Sequence, residues 1–546
     1  MNEPWWKKAV VYQIYPKSFR DTSGNGIGDI RGIIEKLDYL HKLGVDVLWL
    51  TPVYQSPQKD NGYDISDYYS IEPAYGTMED FEELLEEVHK RDMKLIMDLV
   101  INHTSTEHEW FKQSISSKDN EYRDFYIWKE PVDGEEPNNW QSKFGGSAWK
   151  YDEKSGQYYL HLFDVTQADL NWENKKVREK LIEMIQFWAE KGIDGFRLDV
   201  INLISKNQDF PSDDTGDGRK FYTDGPRVHE YLHEVNQAVF SPYNMMTVGE
   251  MSSTTIESCV LYTNPDRKEL DMTFQFHHLK VDYPNGEKWA KAPFDFIELK
   301  QILSKWQVGM HEGNGWNALF WCNHDQPRAV SRFGDEGKYH KESAKMLATT
   351  LHMMKGTPYI YQGEEFGMTN PNFNSIEDYR DVESLNAFKL LKEQGKSEAE
   401  ILDILKQKSR DNGRTPMQWS TEENAGFSKA KPWIDVAKNY TEINAEKALE
   451  DRDSIFYHYQ KLIEMRKKHD IITYGDYQLI LADHPEIFAY TRNWNDEKLV
   501  VVGNFYAKDV EVDLQLEANA EVLLSNYKDT KKNVLRPYES VVYMVK

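Results

Sequence analysis

The chain has 546 residues, 40% of them hydrophobic and 29% charged, a composition ordinary for a globular protein but a length too great for a single hydrophobic core. Acidic residues number 91 against 66 basic ones, a formal net charge of −25, which argues against a nucleic-acid partner but leaves room for a local lysine cluster that binds an anionic small molecule. Met1–Lys8 lacks the apolar core of a signal peptide and no run of about 18 apolar residues occurs, so no membrane association is expected. The two cysteines, Cys259 and Cys322, form no CxxC pair and read as reduced core thiols of a cytoplasmic protein.

The first hundred residues alternate apolar strands and amphipathic helices. Val10–Tyr15 reads as a strand. Ile33, Ile34, Leu37, Leu40 and Leu43 follow at helical spacing, with Gly44 as a stop. Val45–Leu50 is a second strand. Thr77 and Asp80 then form a capping pair before the stripe Phe81, Leu84, Leu85 and Val88. Leu95–Val100 is a third strand. This rhythm predicts a parallel sheet flanked by helices.

From Thr104 to Asn171 the periodicity disappears. Val177, Leu181, Ile182, Ile185 and Trp188 restore a helix, closed by Gly192, and strand Gly195–Val200 follows. Strands at Met246–Gly249, Met272–Phe276, Asn317–Cys322 and Pro358–Gln362 bring the total to eight. The expected fold is therefore a (β/α)8 TIM barrel. Its parts are residues 1–103, an inserted domain at 104–171, and residues 172–470, themselves interrupted at about 370–418. Alternating patterns near 487–490, 499–502, 510–514 and 540–545 predict an antiparallel β-domain over 471–546.

Hydrogen-bonding and charged residues gather where strands should end: Asn102 and His103 after the third, Arg197 and Asp199 at the fourth, Glu250 at the fifth, and Asn323, His324 and Asp325 after the seventh. The C-terminal strand ends of a barrel form its active-site face. A pair of carboxyl groups there suits retaining glycoside hydrolysis, one as nucleophile and the other as acid and then base. Arg197 and Asp199, two residues apart on one strand, point the same way. The guanidinium is expected to keep the Asp199 carboxylate ionised, while Glu250 must rest protonated.

Asp98–His103, Gly195–Asp199, Val248–Glu250 and Asn323–Asp325 together resemble the signature regions of the α-amylase superfamily of glycoside hydrolases, and the resemblance spans the whole chain. Gln167–Asn171 and Arg410–Trp419 resemble its oligo-1,6-glucosidase subfamily. The resemblance implies an inserted domain after the third strand and a C-terminal β-sandwich. It implies Asp199 as nucleophile, Glu250 as acid/base and Asp325 as third carboxylate. Gln167 lies in the additional motif, and His103 and His324 would bind hydroxyls of the same sugar ring. Asp60 and Tyr63 would recognise its non-reducing end, with Arg410 pairing to Asp60. Asp21, Ser23, Asn25, Ile27 and Asp29 resemble the subfamily's calcium loop, so a structural calcium ion is expected, with no cofactor for catalysis.

The stretch Phe274–Trp289, with Lys280 and Lys288, resembles the branch of this subfamily that hydrolyses trehalose 6-phosphate. That resemblance implies a phosphorylated disaccharide as substrate, glucose and glucose 6-phosphate as products, and Lys280 and Lys288 beside the phosphate. The alternative is an oligo-1,6-glucosidase acting on unphosphorylated isomalto-oligosaccharides. A transglycosylase would use the same carboxylates and exclude water. A non-catalytic transporter subunit would have lost those carboxylates and carried a membrane segment.

Overall fold

The computed structural model describes residues 3–531 and 533–546; Met1 and Asn2 of the N-terminal stretch read above lie outside them. Eight strands form one sheet: β1 (Val11–Ile14), β2 (Val47–Leu50), β3 (Lys94–Leu99), β4 (Gly195–Leu198), β5 (Met246–Glu250), β6 (Met272–Phe274), β7 (Ala318–Leu319) and β8 (Thr357–Tyr361). Their order, β6-β5-β4-β3-β2-β1-β8-β7, is that of a (β/α)8 barrel, with β6 and β7 at the open ends. β3 to β6 pair in parallel with their neighbours, as do β7 with β8 and β8 with β1. Nearly every residue of these strands is buried, which is why they read as continuous apolar runs.

Contacts divide the chain into two compact units, residues 49–90 with 94–275, and residues 1–48, 91–93 and 276–546. In the first unit, helix Met78–Lys90 starts at Thr77, whose Oγ1 accepts the Asp80 N–H while Asp80 accepts the Thr77 N–H. Helix Lys175–Glu190 is capped by Asn174, buries Val177, Leu181, Met184, Ile185 and Trp188, and is followed by Gly192 at φ +97°. Within the stretch 104–171, Trp128–Lys129, Trp149–Asp152 and Gln157–Leu160 form a three-stranded antiparallel sheet. Gln167–Asp169 pairs antiparallel with His103–Ser105.

In the second unit, the helical stretch expected over Ile33–Leu43 is two helices, Ile30–Glu35 and Leu37–Leu43. Lys36 leaves the helical region (φ −106°, ψ 5°) and shares its N–H between the Ile33 and Ile34 carbonyls. The seventh strand is shorter than the apolar run Asn317–Cys322, because the Phe320 carbonyl accepts His278 Nε2 at 2.8 Å instead of joining the ladder. The chain ends in a five-stranded antiparallel sheet. Asp476–Ile480 and Glu521–Ser525 are its edges, around Ile487–Trp494, Glu497–Asn504 and Ser540–Val545. Val510–Glu511 pairs with Val534–Leu535 apart from it. Among the described residues no helix is long and apolar enough to cross a membrane.

The Lys300 ammonium, on helix Phe296–Glu312, is fully buried and donates to the carbonyls of Leu481 (3.1 Å), His484 (2.7 Å) and Ile487 (3.1 Å). Its three protons meet three main-chain oxygens at the turn before the long hairpin. Lys300→Met keeps the bulk and orphans the His484 and Ile487 carbonyls, while Leu481 keeps the His484 N–H at 3.0 Å. The expected cost is about 2–4 kcal/mol of stability, read as a lower thermal-unfolding midpoint. An unchanged midpoint would show that the turn satisfies its carbonyls without the ammonium.

Candidate active site

Arg197 lies near the end of β4, fully buried, and its register partner on β3 is Asp98. Nη1 donates to Asp98 Oδ1 at 2.7 Å and to Asp199 Oδ1 at 2.5 Å, and Nη2 donates to Glu250 Oε2 at the end of β5. Asp98 Oδ2 accepts the Tyr63 hydroxyl at 3.0 Å and the Trp49 indole N–H at 3.2 Å. One cation thus joins three carboxyl groups from three adjacent strands. Burial raises Asp98 and Asp199, each to about 6, against the opposing pull of Arg197. Arg197 acts in the direction expected of it, favouring the ionised carboxylate, and removal from water is the larger effect.

The Glu250 carboxyl also hydrogen-bonds to Asp199, which restrains the rise in the aspartate's pKa. A hydrogen bond between two carboxyl groups requires one proton. Asp199 as anion and Glu250 as acid satisfy that requirement. Glu250 Oε2 accepts Arg197 Nη2 and, at 3.3 Å, the Val200 N–H, so a proton on Glu250 belongs on Oε1. Val200 holds φ +38°, a left-handed conformation costly for a β-branched residue, and in that conformation its N–H is aimed at Glu250.

Beside this group, Gln167 Nε2 donates to Asp60 Oδ2 (3.1 Å) and to the Tyr63 carbonyl (3.0 Å). His103 Nε2 meets the same carbonyl at 3.1 Å, and its Nδ1 faces Asn102 Nδ2 at 3.1 Å. Burial lowers the His103 pKa, so the ring is neutral, accepting at Nδ1 and donating at Nε2. Asp60, Tyr63, His103 and Gln167 are therefore one hydrogen-bonded set, and Gln167 is its hub. Asn102 Oδ1 in turn accepts Lys206 Nζ at 2.9 Å, and Lys206 pairs with buried Asp169 at 2.8 Å. The sequence reading gave neither Lys206 nor Asp98 a role.

In the other unit, Asp325 accepts Arg414 Nη2 at 2.7 Å and Arg410 Nη1 at 3.4 Å, and its Oδ2 lies 3.4 Å from His324 Nε2. Burial raises the Asp325 pKa, but His324, Arg410 and Arg414 outweigh it and hold the carboxyl far below the usual range. His324 Nδ1 meets Gln13 Nε2 at 2.8 Å. Arg414 also donates to the His324 carbonyl at 2.8 Å and so fixes both residues. In its own unit Arg410 pairs with Asp381 at 2.6 Å. Lys280 is exposed at the end of the short helix His277–Leu279, and Lys288 Nζ donates to Glu383 at 2.6 Å.

The loop from Asp21 to Asp29 carries two carboxylates. Asp21 accepts the N–H groups of Gly24 and Gly26 at 2.8 Å and the Ser23 and Ser428 hydroxyls. Asn25 Oδ1 accepts the Ile27 N–H at 2.8 Å. Asp29 accepts the N–H groups of Thr22 and Ser23 and, as a helix cap, that of Gly32. These oxygens accept hydrogen bonds from the loop's own donors and from Ser428. Among the described residues no group of three or more His, Cys, Asp or Glu is placed to hold a metal.

Residues 13–475 match the family model of the α-amylase catalytic domain, and residues 487–542 match that of the α-amylase SusG C-terminal domain. The chain is 68% identical to the trehalose-6-phosphate hydrolase of Bacillus subtilis (strain 168), covering 99% of this chain and 98% of that one. It is 56% identical to an oligo-1,6-glucosidase of Parageobacillus thermoglucosidasius over the full length of both. The crystal structure of Bacillus licheniformis trehalose-6-phosphate hydrolase superposes with a TM-score of 0.96 at 68% identity, covering 99% of this chain and all of that one.

The shared cation gives a pH signature. Asp199 must be ionised to act as a nucleophile, so kcat/KM should fall as pH drops through about 6. Asp98 is among the charges that raise Asp199, so Asp98→Asn should move this acid limb to lower pH while lowering the plateau. The pH dependence of kcat/KM for both proteins measures this. An acid limb at the ordinary aspartate value near 4, unmoved by Asp98→Asn, would refute the coupling.

Proposed function

The chain belongs to the α-amylase family of glycoside hydrolases, and from that premise we propose that it hydrolyses trehalose 6-phosphate to glucose and glucose 6-phosphate with retention. The observation that carries the chemistry is the group of Asp98, Asp199 and Glu250 on Arg197. The substrate follows from full-length identity of 68% to a trehalose-6-phosphate hydrolase, against 56% to an oligo-1,6-glucosidase. The second fact keeps isomalto-oligosaccharide hydrolysis as the competing reading.

In the first step an Asp199 oxygen attacks C1 of the unphosphorylated glucose. Glu250 gives its proton to the bridging oxygen, which leaves on glucose 6-phosphate. The C1–O bond breaks as the ester to Asp199 forms, and Arg197 spreads the charge exchanged between the two carboxyls. In the second step Glu250 takes a proton from water, which displaces Asp199 from the same carbon. Two displacements at one centre return glucose in the α configuration.

Asp325 is the proposed third carboxylate, holding sugar hydroxyls with His324. Asp60 and Tyr63 recognise the non-reducing end, in a loop that Gln167 positions. Arg410 serves the same end. His103 reaches a hydroxyl by exchanging its bond to the Tyr63 carbonyl. A cytoplasmic setting belongs to the same proposal, supported by two buried, unpaired cysteines. A structural calcium ion at Asp21, Ser23, Asn25, the Ile27 carbonyl and Asp29 is a separate proposal. It rests on the oxygen-rich spacing and has no part in the reaction. Chelator should lower the melting temperature if the ion is present; an unchanged melting curve, with no metal by elemental analysis, would rule it out.

Lys280 and Lys288 are the proposed phosphate ligands. Each charge-assisted bond is worth about 1.5–3 kcal/mol, so replacing either lysine by alanine should lower kcat/KM on trehalose 6-phosphate by roughly 10- to 150-fold. Cleavage of an unphosphorylated aryl glucoside should change far less. Steady-state kinetics on both substrates give the answer. Equal losses on the two would place the lysines in the fold and not in phosphate recognition. Faster turnover of isomaltose than of trehalose 6-phosphate by the unaltered enzyme would favour the competing reading.

A further inference from the structure

Lys288 carries an anion that the reaction itself does not require. Its Nζ donates to Glu383 Oε2 at 2.6 Å and lies 4.8 Å from the Trp289 ring centre. The same Glu383 oxygen is 3.4 Å from Arg410 Nε. Arg410 turns its Nη2 to Asp381 Oδ1 at 2.6 Å and its Nη1 to Asp325 at 3.4 Å. Glu383 sits in the first turn of helix Val382–Glu393, where its N–H is capped by Asp381 at 3.2 Å. The side chains of Lys288 and Glu383 are 24% and 18% exposed, so solvent reaches both. Lys288, Arg410 and Arg414 face Glu383, Asp381 and Asp325, so Lys288 belongs to a cluster of cations and carboxylates.

A phosphate monoester brings a charge of about −1.5 to −2 and seeks the donors that Glu383 already uses. Two anions on one ammonium repel each other, so the phosphate and Glu383 compete for Lys288. We propose that Glu383 is a specificity-determining residue, an internal anion that occupies Lys288 until the phosphate of the substrate displaces it. This rests on the reading of Lys288 as a phosphate ligand. Displaced from the lysine, the Glu383 carboxylate stays beside Arg410. An uncharged sugar has nothing to offer Lys288 in exchange and leaves the pair closed. The same competition weakens the hold on glucose 6-phosphate, the charged product, and favours its release.

Inhibition constants for glucose 6-phosphate and for glucose test this in the unaltered enzyme, Glu383→Gln, Lys288→Ala and the double variant. Glutamine keeps the shape and removes the charge. It should tighten glucose 6-phosphate about 3- to 10-fold, the worth of a partly screened ion pair, and move glucose much less. In the Lys288→Ala background the same change should tighten glucose 6-phosphate much less, since only the direct repulsion between the two anions is then relieved. Glu383→Asp, which keeps the charge but draws it back from Lys288, should fall between. Weaker binding of glucose 6-phosphate to Glu383→Gln would overturn the proposal and make Glu383 a support for Lys288. Equal tightening of both sugars, or tightening undiminished by loss of Lys288, would overturn it too. If the unaltered enzyme binds glucose 6-phosphate no better than glucose, the phosphate reading itself fails, and that result is distinct from the others.

Discussion

A single buried guanidinium holds three carboxyl groups that would otherwise repel each other. Arg197 faces Asp98 across the β3–β4 ladder and reaches Asp199, just past the end of its own strand, and Glu250 on β5. Removing one partner from a buried ion group typically costs about 3–5 kcal/mol, because the charges left behind have neither water nor a counter-ion. Arg197 therefore cannot change without loss of the arrangement around it. The parallel register of β3, β4 and β5 is what brings these side chains to one place.

The surroundings meet the same constraint with neutral donors. Tyr63 and Trp49 complete Asp98, and the Val200 N–H completes the Glu250 oxygen that Arg197 holds. Lys206 and Asp169 form a second buried pair, which holds Asn102 and through it the ring of His103. In the other unit Arg414 and Arg410 keep Asp325 ionised while Asp381 neutralises Arg410. Asp98, Asp199 and Glu250 thus share one cation while Asp325 has two arginines, and the protonation states follow from burial and pairing together.

The eight strands, the helix stripes and the signature residues were legible because they are local: apolar runs of four to six residues, a 3.6-residue spacing, and charged residues just past a strand. What escaped the sequence depends on register or on distant partners. Asp98 was visible in a matched motif, yet its role follows from standing opposite Arg197, which pairing alone reveals. Lys206 and Arg414 pair with residues 37 and 89 positions away, Asp169 and Asp325. The edge strands Asp476–Ile480 and Glu521–Ser525 mix exposed and buried positions and lack clean alternation. The break at Lys36 is invisible to an apolar stripe that runs on through it.

Asp199 is the proposed nucleophile, poised by Arg197 and served by Glu250. A slow fluorinated glucosyl fluoride that accumulates the covalent intermediate tests it most directly, with the labelled peptide identified by mass spectrometry. One glucosyl adduct is expected, carried by Asp199. An adduct on Asp98 or Glu250 would contradict it, and so would turnover of the reagent with release of β-glucose and no adduct.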